Sequence, residues 1–398
     1  MEKVRFGIIG VGNMGTTHAK SFLSGKIENA VLTAVCDLKK AKTDAILALD
    51  MEGAKDVVAF DDAEKMIASG LCDAVLVAVP HYDHPKFSIA AMKAGLHVIC
   101  EKPAGVYTKQ VKEMNAVANE TDKLFTMMFN QRTNCVYRKM REIVQGGDLG
   151  EIRRINWIIT TWYRSQSYYD SGDWRATWRG EGGGVLFNQC PHQLDLLQWI
   201  TGMLPTKVHS FCHFGKWHDI EVEDDVTAYM EYENGATGVF ITSTADTPGT
   251  NRFEILGEKG KLVCEEILGE DGKKKDQLTF YRLETPERTF NATYKGGFGE
   301  PKNERIIVET DGQNLQHVGI LNNFANAILG LEPLFVDGRE GIRGVELMNS
   351  MLLSTWVGKT VSLPVDEDLY LSELQKRIAT GRQKEAVDVV LDTEGTYK

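Results

Sequence analysis

The chain has 398 residues, of which 42% are hydrophobic and 25% charged, and its formal net charge is -11 at pH 7. This composition is typical of a globular protein with two or three domains, and the acidic balance argues against a nucleic-acid partner. Seven cysteines at unpaired spacings favour neither a disulfide framework nor a metal site. An apolar strand begins at residue 4, and no apolar run reaches the roughly 18 residues that span a membrane, so we expect a cytoplasmic protein without a membrane partner.

The first 130 residues alternate short apolar runs with helical segments. This alternation predicts βαβ units and a doubly wound parallel sheet of the Rossmann kind, so the expected fold class is α/β, with a first domain over residues 1–130. The predicted strands are Val4–Ile9, Ala30–Cys36, Val57–Phe60, Ala74–Val79, His97–Cys100 and Leu124–Met128.

A glycine motif follows the first strand and begins a helix. Gly10 permits a tight turn, Gly12 lets the backbone approach a pyrophosphate, and Gly15 lets the helix pack closely on the strand. The motif therefore predicts a dinucleotide site, and the candidate cofactor residues within it are Gly10, Gly12, Asn13, Met14 and Gly15.

Asp37 ends the predicted second strand, where a carboxylate would accept a hydrogen bond from a ribose 2'-hydroxyl and repel a 2'-phosphate. This position favours NAD over NADP as the cofactor. Lys39 and Lys40 weaken the preference, because either ammonium could partly neutralise a phosphate.

Two further strand ends lie on the edge of the parallel sheet where ligands bind in α/β folds. Glu101-Lys102-Pro103 ends the fifth strand, and an ammonium there could hydrogen-bond a substrate hydroxyl and stabilise the oxyanion that forms as hydride leaves. The alternative for Lys102 is a solvated surface charge. Pro80-His81 ends the fourth strand, where it would either line the nicotinamide side or form a plain turn.

After about residue 130 the pattern changes to a helix followed by long alternating strands. A second α/β domain over residues 131–364, with a large and mostly antiparallel open sheet, is expected, followed by a polar C-terminal tail over 365–398. The predicted elements are the helix Asn134–Gln145, the strands Ile152–Thr161, Thr206–Phe214, Asp225–Tyr232, Ala236–Thr244, Arg252–Leu256, Lys261–Glu265 and Gln277–Leu283, and the helices Gly319–Leu329 and Gly341–Trp356.

Three consecutive glycines, 182 to 184, precede Asn188, Pro191 and His192. Asn188 and His192 would share a helix face if the segment were continuous, although Pro191 would disrupt a helix that ran through it. A histidine suits the removal of a hydroxyl proton at neutral pH, and the alternative is a structural histidine.

Aromatic and arginine residues cluster just ahead of the glycine run. Aromatic rings suit the CH face of a sugar ring, and arginines suit its hydroxyls, while the alternative is an aromatic packing strip beneath a loop. His218, from a strand connection, could reach the same pocket, and Gln316-His317, ahead of the predicted helix that begins near Gly319, is a similar candidate. The candidate substrate residues are Tyr163, Arg164, Tyr168, Trp174, Arg175, Asn188, His192 and His218.

Taken together, the glycine motif, the Glu-Lys-Pro strand end and the triple-glycine segment resemble the Gfo/Idh/MocA oxidoreductases, the family of glucose-fructose oxidoreductase and inositol dehydrogenase. The likeness runs from about Met1 to Pro364. It implies a catalytic role for Lys102 and an acid/base role for His192, with Glu101 near the cofactor. It also implies a homodimer or homotetramer formed through the open sheet of the second domain.

Asn188 departs from this resemblance, because the position is usually an aspartate. An asparagine cannot take up a proton or stabilise an imidazolium by charge, so Asn188 would orient the imidazole or bind a substrate hydroxyl. Asp195 could supply the missing charge, or it could be a structural residue within a helix. We expect Asn188→Asp to shift the pH dependence of the activity.

The resulting hypothesis is an NAD-dependent dehydrogenase or reductase that acts on a secondary hydroxyl of a sugar, glycoside or cyclic polyol. One alternative is a redox-neutral enzyme with tightly bound NAD, such as a cofactor-assisted glycosidase or epimerase. Another is a non-enzymatic sensor of NAD or sugar, although such a sensor would need neither Lys102 nor His192.

Overall fold

The computed structural model describes residues 3–269, 272–382 and 384. The chain divides into two compact units. Of the described residues, the first unit contains those up to Thr133 together with Asn314–Val345, and the second contains those of Asn134–Gln313 together with those from Glu346 onwards. Asn314–Val345 thus returns to the first unit, whereas the division made from the sequence placed it in the second.

The first unit is built on a six-stranded parallel sheet of order β3-β2-β1-β4-β5-β6, as predicted. Its strands are almost entirely apolar because helices cover both faces, and all of β4 is buried. The strands are β1 (Val4–Ile9), β2 (Ala30–Cys36), β3 (Val58–Phe60), β4 (Ala74–Val77), β5 (His97–Cys100) and β6 (Phe125–Met127). The helices between them are α1 (Asn13–Leu23), α2 (Lys40–Leu47), α3 (Ala63–Ile67), α4 (His84–Lys93) and α5 (Thr108–Glu120).

The second unit is built on a nine-stranded sheet. Its only parallel pair among the described residues is β7 with β10, so the sheet is mostly antiparallel, as predicted. The strands are β7 (Ile152–Ile159), β8 (Pro205–Phe214), β9 (Glu223–Tyr232), β10 (Thr237–Ser243), β11 (Asn251–Gly257), β12 (Gly260–Leu268), β13 (Lys274–Leu283), β14 (Asn303–Ile307) and β15 (Val361–Ser362).

One face of this sheet is buried and the other is exposed. Alternation along β7 buries Trp157, whose ring stacks on Phe253 with the ring centroids 4.1 Å apart. The helices of the unit and of the returning segment are α6 (Cys135–Gln145), α7 (Gln166–Asp170), α8 (Val185–Asn188), α9 (Pro191–Thr201), α10 (Glu287–Thr293), α11 (Gln316–Ile328), α12 (Gly341–Val357) and α13 (Glu367–Thr380).

The C-terminal residues that the sequence suggested were a polar tail include a helix, α13. It is polar over most of its surface, but Tyr370 and Leu374 are buried, and Tyr370 stacks on Trp356 with the ring centroids 5.3 Å apart. Two buried apolar side chains in fourteen residues are too sparse a pattern to indicate a helix from sequence. Residues 383 and 385–398 of the expected tail lie outside the described residues.

The returning segment completes the core of the first unit. Phe324 of α11 is fully buried, and its ring lies 6.1 Å from that of Phe6 in β1. Thr126 of β6 donates a hydrogen bond to the carbonyl of Val336 at 2.7 Å. Within the part of the chain that the structure describes, no helix is long and apolar enough to cross a membrane.

Candidate active site

The turn between β1 and α1 explains two of the three motif glycines by packing alone. Gly10 has φ +92°, and a Cβ on it would lie 2.6 Å from the carbonyl oxygen of Ala78. A Cβ on Gly15 would collide with the carbonyl of Gly10. Any larger side chain at either position would therefore push α1 away from the sheet.

Gly12 differs, since a Cβ built on it would meet only Lys42 Nζ within 4 Å, at 4.0 Å. Gly12 is the N-cap of α1, and among the described residues no side chain caps this end and no acidic residue lies in its first turn. Free backbone NH groups and an uncovered N-terminus favour a bound anion. The turn, with Asn13 and Met14 in the first turn of α1, therefore fits the pyrophosphate of a dinucleotide.

Asp37 lies at the end of β2, beside this turn. Its carboxylate accepts hydrogen bonds from the backbone NH of Val11 at 3.1 Å and of Lys39 at 3.0 Å. An ionised carboxylate has about four acceptor sites, so capacity for a ribose hydroxyl remains. Lys42 Nζ lies 3.5 Å from the same carboxylate, whereas Lys40 pairs with Asp44. The lysine beside Asp37 is therefore Lys42, which the sequence analysis did not single out.

Glu101 is buried at the end of β5 and connects this strand to α1. Its Oε1 lies 2.7 Å from Nε2 of the fully buried His18, and its Oε2 accepts a hydrogen bond from the backbone NH of Lys102 at 3.2 Å. Burial alone would raise the pKa of Glu101, but the hydrogen bond and charge of His18, with His317 and Lys102, lower it to about 2. Glu101 is thus ionised and internally paired.

Lys102 follows at the edge of the sheet and is half-buried, and its peptide bond to Pro103 is cis. The neighbouring strand end is tied to it by His84, whose ring nitrogens lie 2.6 Å from the carbonyl oxygen of Pro103 and 2.8 Å from that of Val79. His81, which follows Pro80, is buried in a 3-10 helix, with its ring 5.8 Å from that of His84. The predicted edge residues therefore lie on two loops that are joined by His84.

His317 adds a titratable group that comes from the returning segment. Its ring lies 5.4 Å from that of His18, and Gln316 before it has a positive φ of 50°. Burial lowers the pKa of His317 to about 4, and the nearby charges of His18 and Lys102 act in the same direction. The sequence analysis suggested His317 for the pocket of the aromatic cluster, but the residue lies beside His18 because α11 returns to the first unit.

In the second unit, Asn188 and His192 do not share a helix. Asn188 is the last residue of α8, and His192 is the second residue of α9, where Pro191 occupies the first helical position. The continuous helix considered in the sequence analysis is therefore absent, since Pro191 begins a helix rather than lying within one. His192 is half-buried, and Asp195 is buried further along α9.

The side chain of Asn188 belongs to a polar network. Its Nδ2 donates a hydrogen bond to Oε1 of the buried Glu181, and its Oδ1 accepts one from the Tyr168 hydroxyl at 3.1 Å. Arg175 donates to the same hydroxyl at 2.7 Å, and Gln189 donates to it at 3.2 Å. Three predicted substrate residues, Tyr168, Arg175 and Asn188, are thus brought together, with Glu181 and Gln189 added.

Aromatic faces line this network. The guanidinium carbon of Arg175 lies 4.4 Å from the ring centroid of Tyr168 and 4.7 Å from that of Trp174. The guanidinium carbon of Arg164 lies 5.1 Å from the Tyr168 centroid, and Tyr163 is 55% exposed. The cluster predicted from sequence is therefore formed around Tyr168, with Tyr163 at the surface.

His218 supports this cluster from the side. One ring nitrogen lies 3.1 Å from the carboxylate of Asp224, and the other lies 2.9 Å from the carbonyl oxygen of Arg164. The ring also packs against Tyr169, with the centroids 4.9 Å apart. Both nitrogens contact the protein, so this geometry fixes the backbone at Arg164 rather than leaving the imidazole to a ligand.

Two residues that sequence reasoning did not identify hold the surrounding loops. Glu223 is fully buried, and its Oε1 accepts hydrogen bonds from the backbone NH groups of Gly184 at 2.8 Å and Leu186 at 3.1 Å, at the start of α8. Burial raises the pKa of Glu223 to about 8, and the charge of Glu181 acts in the same direction. Lys384 donates a hydrogen bond to the carbonyl oxygen of Tyr169, and no local sequence pattern predicts this contact.

Both halves of the chain are similar in sequence to known proteins. Residues 4–129 match the oxidoreductase family described by its NAD-binding Rossmann fold, and residues 137–263 match the GFO/IDH/MocA C-terminal domain. The myo-inositol 2-dehydrogenase of Thermotoga maritima is 25% identical over 296 residues, which cover 71% of this chain and 83% of that protein. The D-glucoside 3-dehydrogenase of Escherichia coli is 29% identical over 259 residues, covering 61% of this chain and 70% of that protein.

A solved structure extends the likeness to the whole fold. The WlbA dehydrogenase of Chromobacterium violaceum, in complex with NADH and UDP-GlcNAcA, has a TM-score of 0.75 at 27% identity, covering 92% of this chain and 97% of that chain. The two matched regions together span more than half of the chain. The chain therefore belongs to the Gfo/Idh/MocA family of oxidoreductases and has an NAD-binding Rossmann domain followed by the family's C-terminal domain.

Proposed function

We propose that this protein is an NAD-dependent dehydrogenase or reductase for a secondary hydroxyl or ketone of a sugar, glycoside or cyclic polyol. The observation that carries the proposal is the position of Lys102, at the carboxyl end of β5 next to a glutamate whose carboxylate is paired inside the unit. Relatives named as inositol and glucoside dehydrogenases support the substrate class. Bound NAD would accept hydride from the carbon that bears the hydroxyl.

Lys102 and His192 divide the proton chemistry in this proposal. The Lys102 ammonium donates a hydrogen bond to the substrate hydroxyl oxygen and stabilises the negative charge that develops there. His192 accepts the hydroxyl proton at its imidazole, and in the reducing direction it returns that proton. Glu101 orients Lys102 through the backbone NH of that residue.

The network around Tyr168 supplies the substrate contacts. Arg175 and Gln189 donate hydrogen bonds to the Tyr168 hydroxyl, which donates to Asn188, and the Arg175 guanidinium lies over the rings of Tyr168 and Trp174. Alternating donors and acceptors beside aromatic rings suit a polyhydroxylated ring, whose hydroxyls both donate and accept while its CH groups pack on an aromatic face.

The test is NADH formation with a panel of sugars, glycosides and cyclic polyols, comparing wild type with Lys102→Ala and His192→Ala. We expect each variant to lose at least about a hundredfold in kcat, in line with the loss of a general acid/base or an oxyanion donor. Lys109→Ala, which changes an exposed lysine on α5, serves as the matched control. Wild-type turnover in both variants would contradict the assigned roles.

The same preparation separates the redox-neutral alternative. A nicotinamide cofactor that is released only on denaturation would favour a glycosidase or epimerase in which NAD is reduced and reoxidised in each cycle. Cofactor that exchanges freely, with NADH accumulating in step with substrate, supports the dehydrogenase. Tight NAD binding without turnover on any member of the panel would point to a sensor.

We also propose that a second copy of the chain covers the open face of the nine-stranded sheet. The residues that alternate outward on this face include large apolar side chains, Phe211 at 60% exposure, Tyr229 at 42% and Leu256 at 37%. Strand register aligns Phe211 with Thr227, Thr227 with Ile241 and Ile241 with Ile158, so these side chains lie on one face of the sheet, which also carries Arg252 beside Ile158. Large exposed apolar side chains among polar and charged ones are found at interfaces between subunits.

A further inference from the structure

Glu181 lies seven positions before Asn188 and is almost completely buried, with 1% of its surface exposed. Its Oε1 accepts a hydrogen bond from Asn188 Nδ2, and its Oε2 accepts one from the backbone NH of Ala176 at 2.7 Å. Arg175 Nη1 lies 3.9 Å from Oε1. A buried carboxyl group therefore lies beside position 188, although residue 188 is itself an amide.

The partners of Glu181 settle the orientation of the Asn188 amide. A carboxylate only accepts hydrogen bonds, so the Asn188 nitrogen must face Glu181 and the Asn188 oxygen must face Tyr168. The Tyr168 hydroxyl then donates to Asn188 and accepts from Arg175 at 2.7 Å. One chain of hydrogen bonds with a single direction thus runs from Arg175 through Tyr168 and Asn188 to Glu181.

We propose that Glu181 is a positioning residue of the substrate site, which fixes Asn188 and Tyr168 in this one hydrogen-bonding direction and supplies the pair with its single negative charge. The inference rests on the proposed function, because it assigns Asn188 and Tyr168 to substrate binding. Glu181 acts through Asn188.

An aspartate at position 188 is incompatible with an ionised Glu181. The substitution Asn188→Asp would place a second carboxylate oxygen at hydrogen-bonding distance from Glu181 Oε1 with no proton between them, unless the two acids shared one. In this proposal, an aspartate at position 188 would interact first with Glu181 and only then with His192. Asn188 and Glu181 instead form a matched pair, in which the negative charge lies on residue 181 rather than on residue 188.

The pair can be exchanged without losing a hydrogen bond. In Glu181→Gln alone, the new amide has one oxygen for two donors, so either Ala176 NH or Asn188 Nδ2 loses its acceptor. In the double variant Glu181→Gln with Asn188→Asp, the glutamine oxygen accepts from Ala176 and its nitrogen donates to the new aspartate. That aspartate still accepts from Tyr168 and Gln189, the donors that now contact Asn188 Oδ1.

A double-mutant cycle tests the inference with two readouts, melting temperature and kcat/KM on the best substrate of the panel. We expect each single variant to lose about tenfold in kcat/KM and to melt several degrees lower, and the double variant to recover most of both losses. In Asn188→Asp alone, activity should rise as the pH is lowered, because a shared proton removes the repulsion between the two acids. The double variant should lack that rise.

The matched control is Asn291→Asp with Glu309→Gln, which makes the same two chemical changes at exposed positions and should leave both readouts unchanged. A double variant no better than its single variants would overturn the inference. Recovery of melting temperature without recovery of kcat/KM would make Glu181 a structural residue and would overturn the positioning role. If wild type turns over no substrate, the proposed function fails, while the melting cycle still decides whether the two side chains act as a pair.

Discussion

His18 Nε2 and Glu101 Oε1 lie 2.7 Å apart inside the first unit, with the His18 side chain completely buried. The contact joins α1, which begins at the glycine turn, to the strand end that carries Lys102. A displacement of α1 on cofactor binding would therefore also displace Lys102. The charge on Glu101 strengthens the contact that links them.

Replacing Glu101 with glutamine should expose this charge in a pH titration. The pKa of Glu101 lies at about 2 rather than 4.5, so its ionised form stabilises the fold above pH 4.5, and this stabilisation is lost as the pH falls towards 2. We expect Glu101→Gln to lower the free energy of unfolding by about 2 to 3 kcal/mol at pH 7. The deficit should shrink between pH 4.5 and pH 2.

Denaturant unfolding at a series of pH values measures this difference. Glu113→Gln, on the exposed side of α5, is the control for a change from acid to amide. A deficit that is the same at every pH would show that the charge of Glu101 does not stabilise the fold.

The glycine turn and the strand-end lysine could be predicted because their positions depend on the sequence immediately around them. Gly10, Gly15 and Lys102 follow strands that are legible as apolar runs, and the order of strands in an α/β sheet places them on one edge. Asp37 could be predicted for the same reason. Lys42, by contrast, lies in the first turn of α2, and its approach to Asp37 depends on the path of the chain between β2 and this helix.

The network around Asn188 could not be derived in the same way. Glu181, Asn188 and Tyr168 meet through loops and short helices, whose geometry depends on contacts such as those of Glu223 with Gly184 and Leu186 rather than on periodicity. The aromatic cluster was predicted as a group, but its partners were not. His317 depends on a return of the chain across about two hundred residues, which no local pattern encodes.

Glu223 should make the protein less stable as the pH rises. Burial raises its pKa to about 8 from 4.5, so the folded protein holds a proton that the unfolded chain has lost between these values. The stability that this proton contributes is therefore fully present below pH 4.5 and is lost progressively as the pH rises towards 8. We expect Glu223→Gln, which stays neutral, to flatten this decline and to melt higher than wild type at pH 8.

Calorimetric melting between pH 5 and pH 8 tests this expectation. Glu231→Gln, at a more exposed position further along the same strand, controls for the change of residue type. A wild-type pH dependence that persists unchanged in Glu223→Gln would assign it to other groups.

Alanine substitution should distinguish a glycine that is needed for ligand binding from a glycine that is needed for packing in the turn between β1 and α1. Gly12→Ala should fold with a stability within about 1 kcal/mol of wild type, because a Cβ there meets only Lys42 Nζ at 4.0 Å. Its NAD affinity should fall at least about tenfold as the methyl group displaces the pyrophosphate. Gly15→Ala should lose several kcal/mol of stability, because its Cβ collides with the carbonyl of Gly10.

Thermal melting and NAD titration followed by fluorescence give both quantities for each variant. Gly297→Ala, at an exposed position with open space around the Cβ and no positive φ, is the control for the added methyl group. If Gly12→Ala kept full NAD affinity, the pyrophosphate would not bind at this turn.

Charge placed on the open sheet face should weaken self-association. Phe211→Lys introduces an ammonium among side chains that we propose are buried between two copies, where an unpaired charge is costly. We expect the sedimentation profile to shift towards the monomer at a fixed concentration. Leu268→Lys, which changes another exposed apolar residue at the end of β12, should leave the profile as in wild type.

The return of Asn314–Val345 to the first unit has a consequence for synthesis on the ribosome. Phe324 closes the core against Phe6, and Val336 accepts the hydrogen bond from Thr126, so the N-terminal sheet lacks part of its core until more than three hundred residues have emerged. The N-terminal part of the first unit would keep apolar surface exposed while most of the second unit is translated. We therefore expect chaperone dependence to follow the length of chain between the two parts of this core. A circular permutant that begins at Asn314 would leave only residues 346–398 between them.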